Sequence, residues 1–291
     1  MKINVRKIIP YSEKNISYFN QKRPKMLVLW LGTLFACITI KMHLFVCVYC
    51  KKCIYSVKEG WLKMGLNSFV AQEARPLPIF VLADVSGSMS GAKIKELNIA
   101  LRDMISALNN VNDIRGKFQL CVISFGGDVA NIVQPLTDVA KVSLTELEAN
   151  GETPMGSAFT QVAEMIENRE IVSSRAYAPT IVLISDGMPT DFRGGQDYSN
   201  WAPLAMLHSG PRSSKCQRLA MGIGDDADMA MLKAFVKNDQ IPVIKSNGAK
   251  GIASFFRWVT MSTVARATSV APNNVSVVAP ISLMDEEEIT I

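Results

Sequence analysis

From Leu77 onward the chain alternates short apolar runs with segments of helical periodicity, and this alternation constrains the fold more than any other feature. "LPIFVLAD", "KFQLCVISFG" and "APTIVLISDG" are near-continuous apolar runs, the pattern of strands buried on both faces. "CQRLAMGIG" and "IPVIKS" read as further strands. Between them, "AKIKELNIALRDMISALNNV" places Ile94, Leu97, Leu101, Ile105 and Leu108 on one helical stripe. "MGSAFTQVAEMIENREI", "DADMAMLKAFVKN" and "IASFFRWVTMSTVARAT" read as three more helices. Strands alternating with helices imply an α/β fold, doubly wound, with a mostly parallel central sheet and helices on both faces, Rossmann-like in outline. "VANIVQPL" alternates and is short, so it is expected as one antiparallel edge strand. The expected division is a basic and apolar N-terminal segment at 1–63, the α/β domain at 76–270 and a C-terminal extension at 271–291 ending in an acidic, solvated tail, "MDEEEITI".

Charge is uneven along the 291 residues. The formal net charge is +5, yet Lys2, Arg6, Lys7, Lys14, Lys22, Arg23 and Lys25 all precede residue 27, against Glu13 alone. The remainder is near balance, so no basic nucleic-acid face is implied for the main domain. Cys121 and Cys216 sit in strand-like runs, where a free thiol packs as a small apolar group. Two dispersed thiols make no disulfide framework, which fits a reducing, cytoplasmic setting for this domain.

The N-terminal segment has two readings. "LVLWLGTLFACITI" (27–40) and "LFVCVYC" (44–50) together reach the length of a membrane span, with Lys41 as a costly interruption. The chain is then a single-pass membrane protein through residues 27–50, and a membrane-anchored adhesin becomes an alternative function. In the other reading Met64 is the working start and residues 1–63 are an upstream extension. Cys47, Cys50 and Cys53 lack a fourth ligand at useful spacing and read as incidental thiols.

Chemistry gathers at strand ends. In "DVSGSMS" (84–90) Asp84, Ser86 and Ser88 alternate with Val85 and Gly87, so a sharp turn at Gly87 can converge three oxygen-bearing side chains. Asp186 ends another buried run about a hundred residues later, and Thr153 in "GETPMGSAF" precedes a helix where its hydroxyl can join them. In doubly wound sheets ligands bind beyond the carboxyl ends of strands, which unites these distant residues. Carboxylate and hydroxyl oxygens without His or Cys suit a hard cation, Mg²⁺ first and Mn²⁺ as an alternative.

This set, D-x-S-x-S, then a threonine loop, then an aspartate after a buried strand, resembles the metal-ion-dependent adhesion site (MIDAS) of von Willebrand factor A (VWA) domains over residues 76–262. "GETPMGSAF" with "ISDGMPTD", together with "FFRWVTMSTVARAT" and "NNVSVVAP", resembles more specifically the bacterial tellurium-resistance TerY-like branch. The resemblance implies direct ligation by Ser86 and Ser88, Thr153 direct or through water, and Asp84 and Asp186 anchoring the ion partly through waters. It also implies a protein partner that offers an acidic side chain to the metal, and an adaptor rather than an enzyme. A metal-dependent phosphohydrolase is the alternative, disfavoured because neither a general base nor a nucleophile accompanies the set.

Other signals are weaker. "GIGDDA" matches a dinucleotide fingerprint, but Asp225 and Asp226 oppose a pyrophosphate, so helix capping is expected there. His208 has no apparent catalytic partner in the sequence. Asp191 either shapes a partner surface or caps a turn. Phe192, Tyr198 and Trp201 are either partner anchors or local packing.

Overall fold

The computed structural model describes residues 74–111, 116–194, 197–274 and 277–279, together with a strand at 289–290. The N-terminal expectations, including the span at 27–50 and the three cysteines at 47–53, lie outside the described residues. Among the described residues no helix is long and apolar enough to cross a membrane.

Seven strands form one sheet: β1 (Arg75–Asp84), β2 (Gly116–Gly126), β3 (Val129–Asp138), β4 (Thr180–Ser185), β5 (Gln217–Ile223), β6 (Ile244–Ser246) and β7 (Ile289–Thr290). The helices are α1 (Ala92–Asn109), α2 (Met155–Glu167), α3 (Ala202–Ser209), α4 (Met229–Val236) and α5 (Lys250–Thr268). The sheet order is β3-β2-β1-β4-β5-β6-β7. β1, β2, β4, β5 and β6 run parallel, and β3 and β7 pair antiparallel at the two edges.

Period-two side-chain geometry explains the two-faced core. Leu77, Ile79, Val81 and Ala83 of β1 pack toward Leu97, Leu101 and Met104 of α1 and Phe255, Trp258 and Val259 of α5. Phe80 and Leu82, from the same strand, face Phe159 and Val162 of α2, Leu204 of α3 and Phe235 of α4. Both faces are therefore covered by helices, as the unbroken apolar runs require.

The edges differ from expectation in two respects. The expected short edge strand is β3, but it runs ten residues, as long as β1. The tail expected to be wholly solvated contributes β7, which pairs Ser246 with Ile289 and Lys245 with Thr290. Its apolar and β-branched Ile-Thr pair suits an edge strand even beside four acids.

Chain direction creates the site. After β1 the chain moves outward to β2 and β3, then returns past β1 to β4. The crevice where the order reverses opens between the carboxyl ends of β1 and β4. Asp84 is the last residue of β1, and Asp186 follows the last residue of β4.

Candidate metal centre

Asp84 is fully buried at the end of β1. The β1–β4 register pairs Ala83 with Ile184, so the next position sets Asp84 beside Ser185. Ser185 Oγ donates to Asp84 Oδ2 at 2.5 Å, and the Ser86 N–H donates to Oδ1 at 2.8 Å. Burial pushes the Asp84 carboxyl above the usual carboxylate range, against those hydrogen bonds, and the nearby Asp186 charge pushes the same way.

The 3₁₀ turn Gly87–Met89 then swings the chain so that the Ser86 and Ser88 hydroxyls lie 3.0 Å apart. Ser88 Oγ donates to Asp186 Oδ1 at 2.7 Å. Three of the five expected side chains thus form one continuous chain, Ser86–Ser88–Asp186. Asp84 holds its root through the Ser86 amide.

Thr153 arrives on a loop braced against this turn. The Gly87 N–H donates to Gly151 O at 2.9 Å, and the Asn150 N–H donates to Val85 O at 2.7 Å. Gly151 has φ +71° and lies against Gly127, so a side chain there would meet the Gly127 Cα at 2.4 Å. The Thr153 N–H donates to Thr190 Oγ1, and the Thr190 N–H donates back to Thr153 O. This clamp joins the threonine loop to the segment after Asp186. Thr153 Oγ1 lies 3.8 Å from where a Cβ on Gly187 would stand, which brings the hydroxyl beside the Asp186 turn.

The donor set fits a hard divalent cation. It offers carboxylate and hydroxyl oxygens, with no imidazole or thiolate to favour a softer metal. Among the described residues no three His, Cys, Asp or Glu side chains cluster as a metal group. Charge in this set comes from Asp84 and Asp186, and the remaining oxygens are neutral. Ser86 and Thr153 are buried while Gly87 and Ser88 are exposed, so the set is approachable from solvent on the Ser88 side.

Two residues of this region were not singled out in the sequence. Lys93, in the first turn of α1, donates to Asp186 Oδ2 at 2.6 Å, with its side chain 30% exposed and the Asp186 side chain fully buried. A cation in the first turn of a helix opposes the helix dipole and calls for a carboxylate partner. That was the available clue. Ser185, read only as the end of an apolar strand, anchors Asp84.

The expected partner residues are used by the fold. Asp191 accepts from the Gly156 N–H at 3.1 Å and the Ser157 N–H at 3.0 Å, capping α2 with both oxygens. Trp201 is buried, edge-on to Phe159 and Phe192. Phe192 lies 4.4 Å, centroid to centroid, from Tyr198. Trp201 is therefore a core residue and not a surface anchor, because α3 carries it into the apolar face beneath α2. The cap of α4 is Asp228, just after "GIGDDA", which accepts from the Met231 N–H, while Asp225, one of the two acids expected to cap, pairs with Lys245. His208 Nε2 lies 3.1 Å from Phe235 O, and burial pulls its pKa down to about 4.

Residues 79–188 match the sequence profile of the von Willebrand factor type A domain. Inter-alpha-trypsin inhibitor heavy chain H2 of Mesocricetus auratus is 25% identical over 171 residues, covering 48% of this chain and 17% of that protein. Inter-alpha-trypsin inhibitor heavy chain H4 of Sus scrofa is 29% identical over 125 residues, covering 40% of this chain and 13% of that protein. The chain thus matches less than a fifth of the length of these curated relatives. The von Willebrand factor domain of the type V pili tip protein Mfa5 from Porphyromonas gingivalis is similar in fold, with a TM-score of 0.50 and 13% identity over 67% of this chain and 97% of that one. Residues 79–188, a span that includes Asp84 and Asp186, thus match a von Willebrand factor type A domain in sequence profile, and the doubly wound sheet that contains them is similar to such a domain in fold.

Proposed function

We propose that this domain is a divalent-metal-dependent protein-interaction module whose site consists of Asp84, Ser86, Ser88, Thr153 and Asp186. The observation that carries the reading is the continuous oxygen chain Ser86–Ser88–Asp186, rooted on buried Asp84 at the reversal of strand order. Mg²⁺ held there, or Mn²⁺, supplies an electrophilic coordination position that an acidic side chain of a partner protein can fill. The chain's own residues do the rest. Ser185 and the Ser86 amide fix the Asp84 carboxylate, and the Thr153–Thr190 clamp fixes the threonine loop. Exposed Ser88 leaves the approach open, and Met188, 62% exposed and two residues past Asp186, offers the partner an apolar contact beside the site.

The role best matched to this site is an adaptor, in a bacterial stress-response or tellurium-resistance-like assembly, acting by binding and not by turnover. A membrane-anchored adhesin uses the same site and differs only in residues 27–50. The test is capture of partners by the full chain with Mg²⁺, with EDTA, and with Asp84→Ala. Retention that needs both the metal and Asp84 supports the reading. Retention indifferent to both overturns it. Phosphoester turnover lost in Asp84→Ala would favour the phosphohydrolase instead.

A further inference from the structure

At the opposite end of the sheet, near the amino-terminal ends of β4 and β5, lies a cleft of about 380 Å³ lined by Lys215, Gln217, Arg218, Asn238, Arg266 and Asn274, among others. Two of its walls are buried arginines. Arg218 is 9% exposed and Arg266 2% exposed, and among the described residues neither forms an ion pair with a carboxylate.

Arg266 is satisfied by neutral oxygens. Its Nε donates to Pro272 O, Nη1 to Thr180 Oγ1 and Gln217 Oε1, and Nη2 to Ala178 O. Arg218 is held more loosely, with Nε donating to Val236 O and Nη1 to Ser213 O, each at 3.3 Å. A guanidinium has five N–H donors, so Arg218 keeps donors to spare at the cleft wall. The thiol at the cleft, Cys216, is pushed up to about 12 by burial and brings no negative charge at neutral pH. Glu167, whose charge acts on Cys216, accepts from the Arg212 and Ser213 amides. Asp239 stands between Asn238 and Gln240 in the chain but does not line the cleft.

Burying two cations without an anion is costly, and neutral acceptors only partly offset that cost. The remedy the structure leaves available is an anion in the cleft. Guanidinium geometry matches phosphate oxygens, the volume suits a small ligand group, and Asn238 and Asn274 add amide donors at the wall. We propose that the cleft bounded by Arg218, Arg266 and Lys215 is a phosphate-binding site, taking the phosphate of a small phosphomonoester or of a phosphorylated protein. It lies at the other end of the sheet from the metal set and does not depend on the metal-centre reading.

The experiment is thermal unfolding of the full chain in metal-free buffer at fixed ionic strength. Inorganic phosphate, free phosphoserine and a phosphoserine peptide are titrated separately, with chloride and acetate as controls. The expected result is a saturable rise in Tm with phosphate that chloride and acetate do not give. Arg218→Gln is expected to lose it. Asn238→Asp places a carboxylate at the exposed cleft wall that can still accept from the Gln240 N–H, so the variant is expected to fold and to weaken phosphate binding at least tenfold. Asp84→Ala is expected to respond as the wild type does. Saturation by the peptide but not by free phosphoserine assigns the source to a protein, and tighter binding of free phosphoserine assigns it to a small molecule. A phosphate response equal to that of chloride or acetate overturns the proposal. So does an Asn238→Asp protein that responds like the wild type, whether or not Arg218→Gln folds.

Discussion

Replacing Lys93 by Met tests the electrostatic design of the proposed metal centre from both sides. The ammonium lies 2.6 Å from Asp186 Oδ2, with the lysine side chain 30% exposed and the aspartate side chain fully buried. A hydrogen bond to a charged group is worth about 1.5–3 kcal/mol when sheltered, and an exposed ion pair about 0–1 kcal/mol. Partial exposure of Lys93 places this pair between them, at about 1–2 kcal/mol. Lys93→Met is therefore expected to lower the stability of the metal-free protein by that amount, a few degrees in Tm for a domain of this size. The same cation opposes a divalent ion at the same carboxylate. Its removal is expected to raise Mg²⁺ affinity by up to about tenfold, the equivalent of about 1.4 kcal/mol. Differential scanning calorimetry with and without Mg²⁺ reads both effects. The metal-free Tm falls, and the gain in Tm on adding Mg²⁺ grows. Unchanged metal-free stability with weaker Mg²⁺ binding would refute the reasoning, since Lys93 would then be supporting the ion and not competing with it.

Further outcomes follow from named contacts. Gly151→Ala puts a Cβ 2.4 Å from the Gly127 Cα at a φ of +71°, so it is expected to cost at least about 2 kcal/mol and to weaken metal binding by displacing the Thr153 loop, read by urea unfolding and Mg²⁺ titration. Asp191→Ala removes the cap of α2, with an expected loss of about 1–2 kcal/mol and faster amide exchange at Gly156 and Ser157. Ser185→Ala frees the Asp84 carboxylate and is expected to lower metal affinity about 10- to 100-fold while the fold persists, as circular dichroism will show. His208 has a folded pKa of about 4, below its unfolded value, so the unfolded chain binds the extra proton between about pH 4 and 6.5. Stability is therefore expected to fall on acidification through that window. His208→Gln is expected to flatten the slope, by at most about 2 kcal/mol after allowance for the partial exposure of the ring.

The alternation of strands and helices, and the position of Asp84 and Asp186 at strand ends, were legible in the sequence for the same reason. A strand buried on both faces is an unbroken apolar run, and the first polar residue after it marks the carboxyl end where doubly wound folds place ligands. Asp84 and Asp186 are both such residues, and the alternation of Ser86 and Ser88 around Gly87 carried the turn. Residues that act through long-range contacts carried no such mark. Lys93 lies in a helical segment beside the apolar stripe, and its partner is 93 positions away. Ser185 closes an apolar strand, and its bond to Asp84 spans 101 positions. Asp191 and Trp201 show the converse. Their residue types suit an interface, but only the fold reveals that one is committed to the α2 amides and the other to the core. Arg218 and Arg266 sat inside "CQRLAMGIG" and "STVARAT" as ordinary strand and helix residues. Their shared cleft exists only because β5 begins and α5 ends at the same end of the sheet.

Equilibrium titration of Mn²⁺, with free ion counted by electron paramagnetic resonance and Mg²⁺ used as competitor, addresses the metal centre most directly. The account predicts one Mn²⁺ per chain, displaced by Mg²⁺. Ser88→Ala or Asp186→Ala is expected to weaken binding by at least about tenfold without loss of the fold. A wild-type protein that takes up no stoichiometric Mn²⁺, or variants that bind it as the wild type does, would contradict the account.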